Sequence, residues 1–300
     1  MAVRNREVLK AHLAILGANF IYGLNYVIAK GIMPEYMTPR AIIMLRVVGA
    51  AIIFWVVTAF TGSDKVTRAD LLKLFLLSFL GIAVNQIMFF EGLNLTTPIN
   101  ASIIMVGVPI AVLVFSHFLL KEKLNTQKII GIVLGSAGAL WLILRNGQLS
   151  FTSGTFLGNV FMVVNVTSYA AFLVLVKPLM YKYSPLTIMK WIFTFGIIYV
   201  VPVSAGQLAQ TDFARIPADI WFSIAYVVIF TTVFAYLLNN YSLKTVSPVV
   251  NSAYIYLQPF LATVISLIFG KDVLTATEII AAILIFSGVY LISRSKTVKN

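Results

Sequence analysis

Tyr22 and Asn25 stand in an otherwise apolar run, and with Asn19 and Tyr26 they recur at i, i+3, i+6 and i+7, one stripe of a helix. Similar polar groups interrupt other apolar runs: Asn85 and Gln86; Asn100 and Ser102; Asn165 and Tyr169; Asn251, Tyr254 and Gln258. None of these side chains is a strong acid, base or nucleophile. Their chemistry is hydrogen bonding, which suits a cavity that holds a polar or zwitterionic small molecule, with tyrosine rings, Phe89 and Met105 supplying an apolar side. The competing reading is a set of bonds between helices, each contributing only about 0.6 kcal/mol.

Arg46 is the one charge well inside an apolar run, and Glu91 ends a later run on the same side. A desolvated guanidinium seeks a carboxylate, so the sequence predicts an Arg46–Glu91 ion pair or a shared substrate or coupling site. The alternative is an arginine that snorkels outward and a glutamate already in water. Pro109 and Pro259 fall near the middle of their runs, where each removes a backbone hydrogen bond, and they are expected to act as paired hinges. Proton coupling would need an acid or histidine at depth. Only Glu91, His12 and His117 are candidates, all near the ends of runs, so facilitated diffusion fits at least as well.

Catalytic motifs are missing. There is no H-E-x-x-H, no G-x-S-x-G and no phosphate-binding loop, and the chain has no cysteine. The expectation is therefore a protein that is not an enzyme and needs neither cofactor nor metal.

The elements that position these residues follow from composition. Of 300 residues, 60% are hydrophobic and 11% charged, with a mean hydropathy of +0.96. Charged residues make up about 25% of a soluble domain, so most of this surface must face lipid. Ten apolar runs of spanning length lie at roughly 11 to 30, 40 to 60, 70 to 90, 98 to 120, 126 to 144, 154 to 176, 185 to 206, 218 to 239, 248 to 269 and 274 to 293. The first follows Arg4, Arg6 and Lys10 like a signal peptide, but it continues to Ala29 without a small-residue cleavage site and is read as a retained span.

Charge orients the spans. When their ends are assigned alternately to two sides, 16 of the 22 basic residues fall on the side of the N-terminus and five on the other, leaving Arg46. The positive-inside rule then predicts both termini in the cytoplasm. The net charge of +12 is mostly this bias, and scattered basic residues exclude a nucleic-acid partner. Trp55, Trp141, Trp191 and Trp221 fall near span ends, where indoles favour the interface.

Sliding the chain on itself by 150 residues lays Thr97 to Ile143 over Ser247 to Ser293 with eleven of 47 positions identical. Pro98 meets Pro248, Ser102 Ser252, Pro109 Pro259, Lys121 Lys271 and Gly138 Gly288, and Glu122 meets Asp272. At an offset of 147, Tyr22 meets Tyr169 and Lys30 meets Lys177. The sequence thus divides into two five-span units, 1–146 and 150–300. Five is odd, so the second is inverted relative to the first, a common transporter architecture.

The Pro-capped fourth span with a second proline inside it, the turn at Lys121 to Leu124, the Gly-rich fifth span and Tyr22-Gly23-Leu24-Asn25 resemble the drug/metabolite transporter superfamily, and within it the ten-helix EamA-type family. The resemblance covers essentially the whole chain. Tyr22 stands where the family often has Trp, and Ile192 occupies the place in the second half that corresponds to Arg46. The resemblance implies a carrier of small metabolites, often an exporter of amino acids or related compounds, with a central cavity between the units.

The expectation is an all-α membrane protein of ten transmembrane helices, a secondary transporter in the cytoplasmic membrane that moves a small metabolite outward by alternating access. Its partners are then a small-molecule substrate and membrane lipid. Gly131, Gly135 and Gly138 allow close helix approach, read as internal packing in a monomer, with dimerisation the alternative. The rival function is an intramembrane lipid-handling protein, a flippase or an isoprenoid or lipid enzyme, which would want clustered Asp or His at one interface.

Overall fold

The computed structural model describes residues 2–145, 153–268 and 276–295. Ten helices account for nearly all of them: α1 (Ala2–Ile32), α2 (Pro39–Thr61), α3 (Arg68–Leu95), α4 (Pro98–Met105 and Val108–Leu120), α5 (Thr126–Arg145), α6 (Ser153–Met180), α7 (Pro185–Ala209), α8 (Ala218–Thr245), α9 (Pro248–Ala253, Tyr254–Tyr256 and Leu257–Ile268) and α10 (Ala276–Arg294). Among the described residues, seven of these are long and apolar enough to cross a bilayer by length and composition, and α10 adds the shorter apolar stretch Ile279–Arg294. Lys271 and Asp272, which carry part of the sequence repeat, lie outside the described residues.

The repeat is written into the helix starts. Thr38-Pro39 and Ser184-Pro185 open α2 and α7, while Thr97-Pro98 and Ser247-Pro248 open α4 and α9. In each, the hydroxyl accepts from a backbone N–H in the first turn, at 3.1 to 3.3 Å, and proline takes the position where a missing N–H costs nothing. Equivalent irregularities recur as well. α3 widens to a π-helix over Phe79–Val84 and α8 over Val227–Phe234, and α4 and α9 both break halfway.

Packing follows the same two-fold relation. α2 lies on α7 and α5 on α10, whereas α1 packs on α8 and α9 as α6 packs on α3 and α4. Each repeat therefore closes around the other. At the α5–α10 contact the backbones nearly touch: a Cβ on Gly131 would lie 2.7 Å from the Gly288 carbonyl oxygen, and one on Gly288 only 2.5 Å from that of Gly131. The glycine stripe is thus consumed within the chain's own bundle. Large side chains such as Phe60, Phe118 and Phe222 point outward, where lipid takes the place of a core.

Candidate substrate cavity

Where the repeats meet, seven helices surround a partly open cavity. α1 contributes Tyr22, Asn25 and Tyr26, α2 Arg46, and α3 Asn85, Gln86, Phe89 and Phe90. Asn165 and Tyr169 come from α6, Thr231 and Tyr236 from α8. Met105 and Ile255, 150 residues apart, face it from the breaks in α4 and α9.

Nine of the fourteen polar residues singled out in the sequence thus converge here: Tyr22, Asn25, Tyr26, Arg46, Asn85, Gln86, Asn165, Tyr169 and Gln258. The other five lie outside the lining, and of these Asn19, Asn251 and Tyr254 bond between helices. Asn251 Nδ2 donates to the Asn239 carbonyl at 3.1 Å, and the Tyr254 hydroxyl pairs with His12 Nδ1 at 2.7 Å. Asn100 and Ser102 lie in the first half of α4, Asn100 buried with its backbone N–H on the Thr97 hydroxyl. They are replaced in the lining by residues that a polarity scan passes over. Thr231 lies in an apolar β-branched run, and Tyr236 stands 150 residues after Gln86, beyond the stretch over which the sequence repeat was evident.

Part of the lining is fixed by its own bonds. Gln86 Nε2 donates to the Tyr236 hydroxyl at 3.5 Å, which donates to Asn85 Oδ1 at 3.2 Å. Asn165 Nδ2 donates to the Asn85 carbonyl at 2.7 Å, Asn239 Nδ2 to the Tyr169 hydroxyl at 2.7 Å, and Gln258 Nε2 to Asn19 Oδ1 at 2.8 Å. Other atoms stay open. Asn25 Oδ1, Gln86 Oε1, Asn165 Oδ1 and Thr231 Oγ1 are buried without a hydrogen-bond partner, and a buried acceptor in that state is costly until something donates to it.

Arg46 is 3% exposed. Its Nε donates to the Thr232 hydroxyl at 2.8 Å, and its guanidinium lies 4.6 Å from the centre of the Phe90 ring. Thr232 is itself held by donating to the Val227 carbonyl at 2.8 Å across the π-helical turn of α8. One of five guanidinium donors is therefore committed to a protein acceptor, on a side chain that lines the cavity. The expected Arg46–Glu91 pair does not form. Glu91 instead accepts from Arg40 Nε at 2.8 Å. The reason is depth: Arg40 sits six residues, roughly 9 Å of helix rise, nearer the end of α2, where a carboxylate keeps part of its hydration. Adjacent to Glu91 in sequence, Phe90 takes the place facing Arg46.

Pro109 and Pro259 do not kink continuous helices. α4 is broken at Val106 and Gly107, and α9 passes through a 3-10 turn at Tyr254–Tyr256. Each proline then lies in the first turn of the half-helix that follows, where it is well tolerated. The helix ends this creates lie beside the cavity.

Similarity to known proteins agrees with this architecture. The model of the EamA-like transporter family matches residues 9–144 and again 156–294. The uncharacterized transporter YyaM of Bacillus subtilis is 25% identical over 94% of this chain and 92% of its own, and Protein WALLS ARE THIN 1 of Arabidopsis thaliana is 23% identical over 97% and 84%. A solved crystal structure, 17% identical, covers 96% of both chains with a TM-score of 0.75 and shares the fold. With two matches that together span most of its length, the chain belongs to the EamA-like transporter family and is a multi-pass membrane transporter.

Proposed function

We propose that the protein carries a small metabolite bearing an anionic group, an amino acid or a closely related compound, and that the cavity is where it binds. The observation that carries this reading is the Arg46 guanidinium, buried with most of its donors uncommitted and with no acid among the described residues lining the cavity. A carboxylate would complete the guanidinium by paired charge-assisted bonds. An ammonium or other donor on the same molecule would satisfy Asn25 Oδ1, Gln86 Oε1 and Asn165 Oδ1, while Phe89, Phe90 and Met105 accept an apolar side chain.

Movement follows an alternating-access cycle in which the two units rock about the cavity, with the breaks before Pro109 and Pro259 as hinges. Facilitated diffusion suits this lining of neutral polar groups and one arginine, and a metabolite more concentrated inside the cell then flows out. The protein works as a monomer in the cytoplasmic membrane with both termini in the cytoplasm, as the uneven distribution of Lys and Arg supports.

Counterflow in proteoliposomes tests the reading: vesicles loaded with one unlabelled amino acid should take up the labelled form only when the protein is present, without a proton gradient. Absence of counterflow for all twenty amino acids and their simple carboxylic-acid relatives would remove this assignment.

A further inference from the structure

Lys30 and Lys177 occupy equivalent places near the C-terminal ends of α1 and α6, 147 residues apart. Lys30 Nζ donates to the carbonyls of Leu93 and Asn94 at 2.9 and 3.0 Å, where α3 ends. Lys177 Nζ donates to the carbonyl of Leu243, and to those of Lys244 at 3.3 Å and Val246 at 2.8 Å, where α8 ends. Leu93 and Leu243 are 150 residues apart, as are Asn94 and Lys244. The same contact is built twice, at opposite faces of the bundle. A helix C-terminus presents carbonyls without intrahelical donors and the negative end of its dipole, so an ammonium with three donors suits both places.

These two contacts tie together two groups of helices that also meet where α9 touches α4 and α8 touches α6. α1 lies on α8 and α9, and α3 and α4 lie on α6. Lys30 belongs to the first group and reaches the second, while Lys177 belongs to the second and reaches the first. Rocking one group against the other to open the cavity at the Lys30 face must draw that lysine away from α3, and opening at the other face must draw Lys177 away from α8.

We propose that Lys30 and Lys177 are the two gating residues of the transport cycle, each holding one face shut and released in turn. This rests on the alternating-access reading above, with the moving bodies taken as these two helix groups, each of which draws helices from both repeats. The latches are unequal: Lys177 is buried and bonded to three carbonyls, whereas Lys30 is half-buried and bonded to two, so the Lys30 face opens more readily.

The chain has no cysteine, so Met105→Cys places a single reactive thiol in the cavity. A charged, membrane-impermeant methanethiosulfonate is added from one face and then, in inverted vesicles, from the other. Lys30→Met should speed labelling from the Lys30 face about tenfold, the scale of losing one charge-assisted bond, and Lys177→Met should do so from the opposite face. Lys30→Arg should retain the slow rate, showing that charge at the helix end is what counts. If Lys177→Met does not fold, the half-buried Lys30 decides alone. Labelling from both faces at rates neither lysine variant alters would reject the latches while sparing alternating access. Labelling from one and the same face in every variant would reject alternating access and the latches with it.

Discussion

Gln86 of α3 and Tyr236 of α8, separated by 150 residues and equivalent in the two repeats, touch each other through Gln86 Nε2 and the tyrosine hydroxyl at 3.5 Å. The pseudo-two-fold axis therefore passes between them and through the cavity they both line. Because that hydroxyl also reaches Asn85 Oδ1, Tyr236→Phe should cost on the order of 0.6 kcal/mol per lost bond, measured as a small drop in thermal stability in detergent. A substrate that donates to Gln86 should bind only a few-fold more weakly.

Arg46→Gln separates binding from stability. A guanidinium buried without a carboxylate is a burden on the folded state, so the apo variant should melt no lower than the native protein. Substrate affinity should fall by about 10-fold to 100-fold, the range for losing a hydrogen bond to a charged group. Arg46→Lys should recover little of it, since a lysine keeps the charge but not the paired geometry or the Nε–H bond to Thr232.

Charge reversal distinguishes the two arginines. Arg40→Glu combined with Glu91→Arg should restore most of what either single change loses, up to about 1 kcal/mol for a pair that keeps access to water. The same exchange between Arg46 and Glu91 should restore nothing, because those two side chains do not meet. Urea or thermal melts of the three single and two double variants give the coupling directly.

Glycine substitutions should divide sharply by position. Gly288→Ala places a methyl 2.5 Å from the Gly131 carbonyl oxygen and 2.6 Å from the Gly135 nitrogen, backbone atoms that cannot turn aside, and should destabilise by about 1–3 kcal/mol. At Gly206, where a Cβ would have nothing within 4 Å, alanine should be neutral or slightly stabilising.

Asp64, in the loop between α2 and α3, holds the α6–α7 connection by accepting from the Ser184 backbone N–H at 2.6 Å, and this bond holds its carboxyl below the usual aspartate range. A depressed carboxyl pKa contributes stability that is present above the unfolded-state value and lost as pH falls through the folded one. The native protein should thus lose stability below about pH 4, and Asp64→Asn should flatten that limb while leaving stability near neutrality slightly lower. Melting temperature against pH for the two proteins measures it.

Helix positions were legible from the apolar runs, and four spans announce themselves a second time by a Thr-Pro or Ser-Pro start, as at Thr38-Pro39 and Ser184-Pro185. Ends were less so. α8 runs six residues beyond the apolar stretch that closes near 239, since Asn240, Ser242 and Thr245 are polar yet still helical. The cavity was readable where buried amides break an apolar pattern, as with Asn85 and Asn165. The π-helical turns were not, because nothing in Phe79–Val84 or Val227–Phe234 marks a change of helical register. Arg46 stood out for its depth, but its partner did not: sequence ranks carboxylates by presence, whereas the fold gave Glu91 to the shallower Arg40 and a threonine hydroxyl to Arg46.

The most direct test of a cavity built around Arg46 is ligand-dependent thermal stabilisation of the purified protein, using amino acids, the amines that share their carbon skeletons but lack the carboxylate, and the matching carboxylic acids. At a concentration 100 times its Kd, a bound ligand stabilises by about 2.7 kcal/mol, which is readily seen as a rise in melting temperature. The expected result is stabilisation by at least one amino acid, none by its decarboxylated amine, and none by either in Arg46→Gln. Equal stabilisation by acid and amine, or stabilisation that survives in Arg46→Gln, would contradict the account.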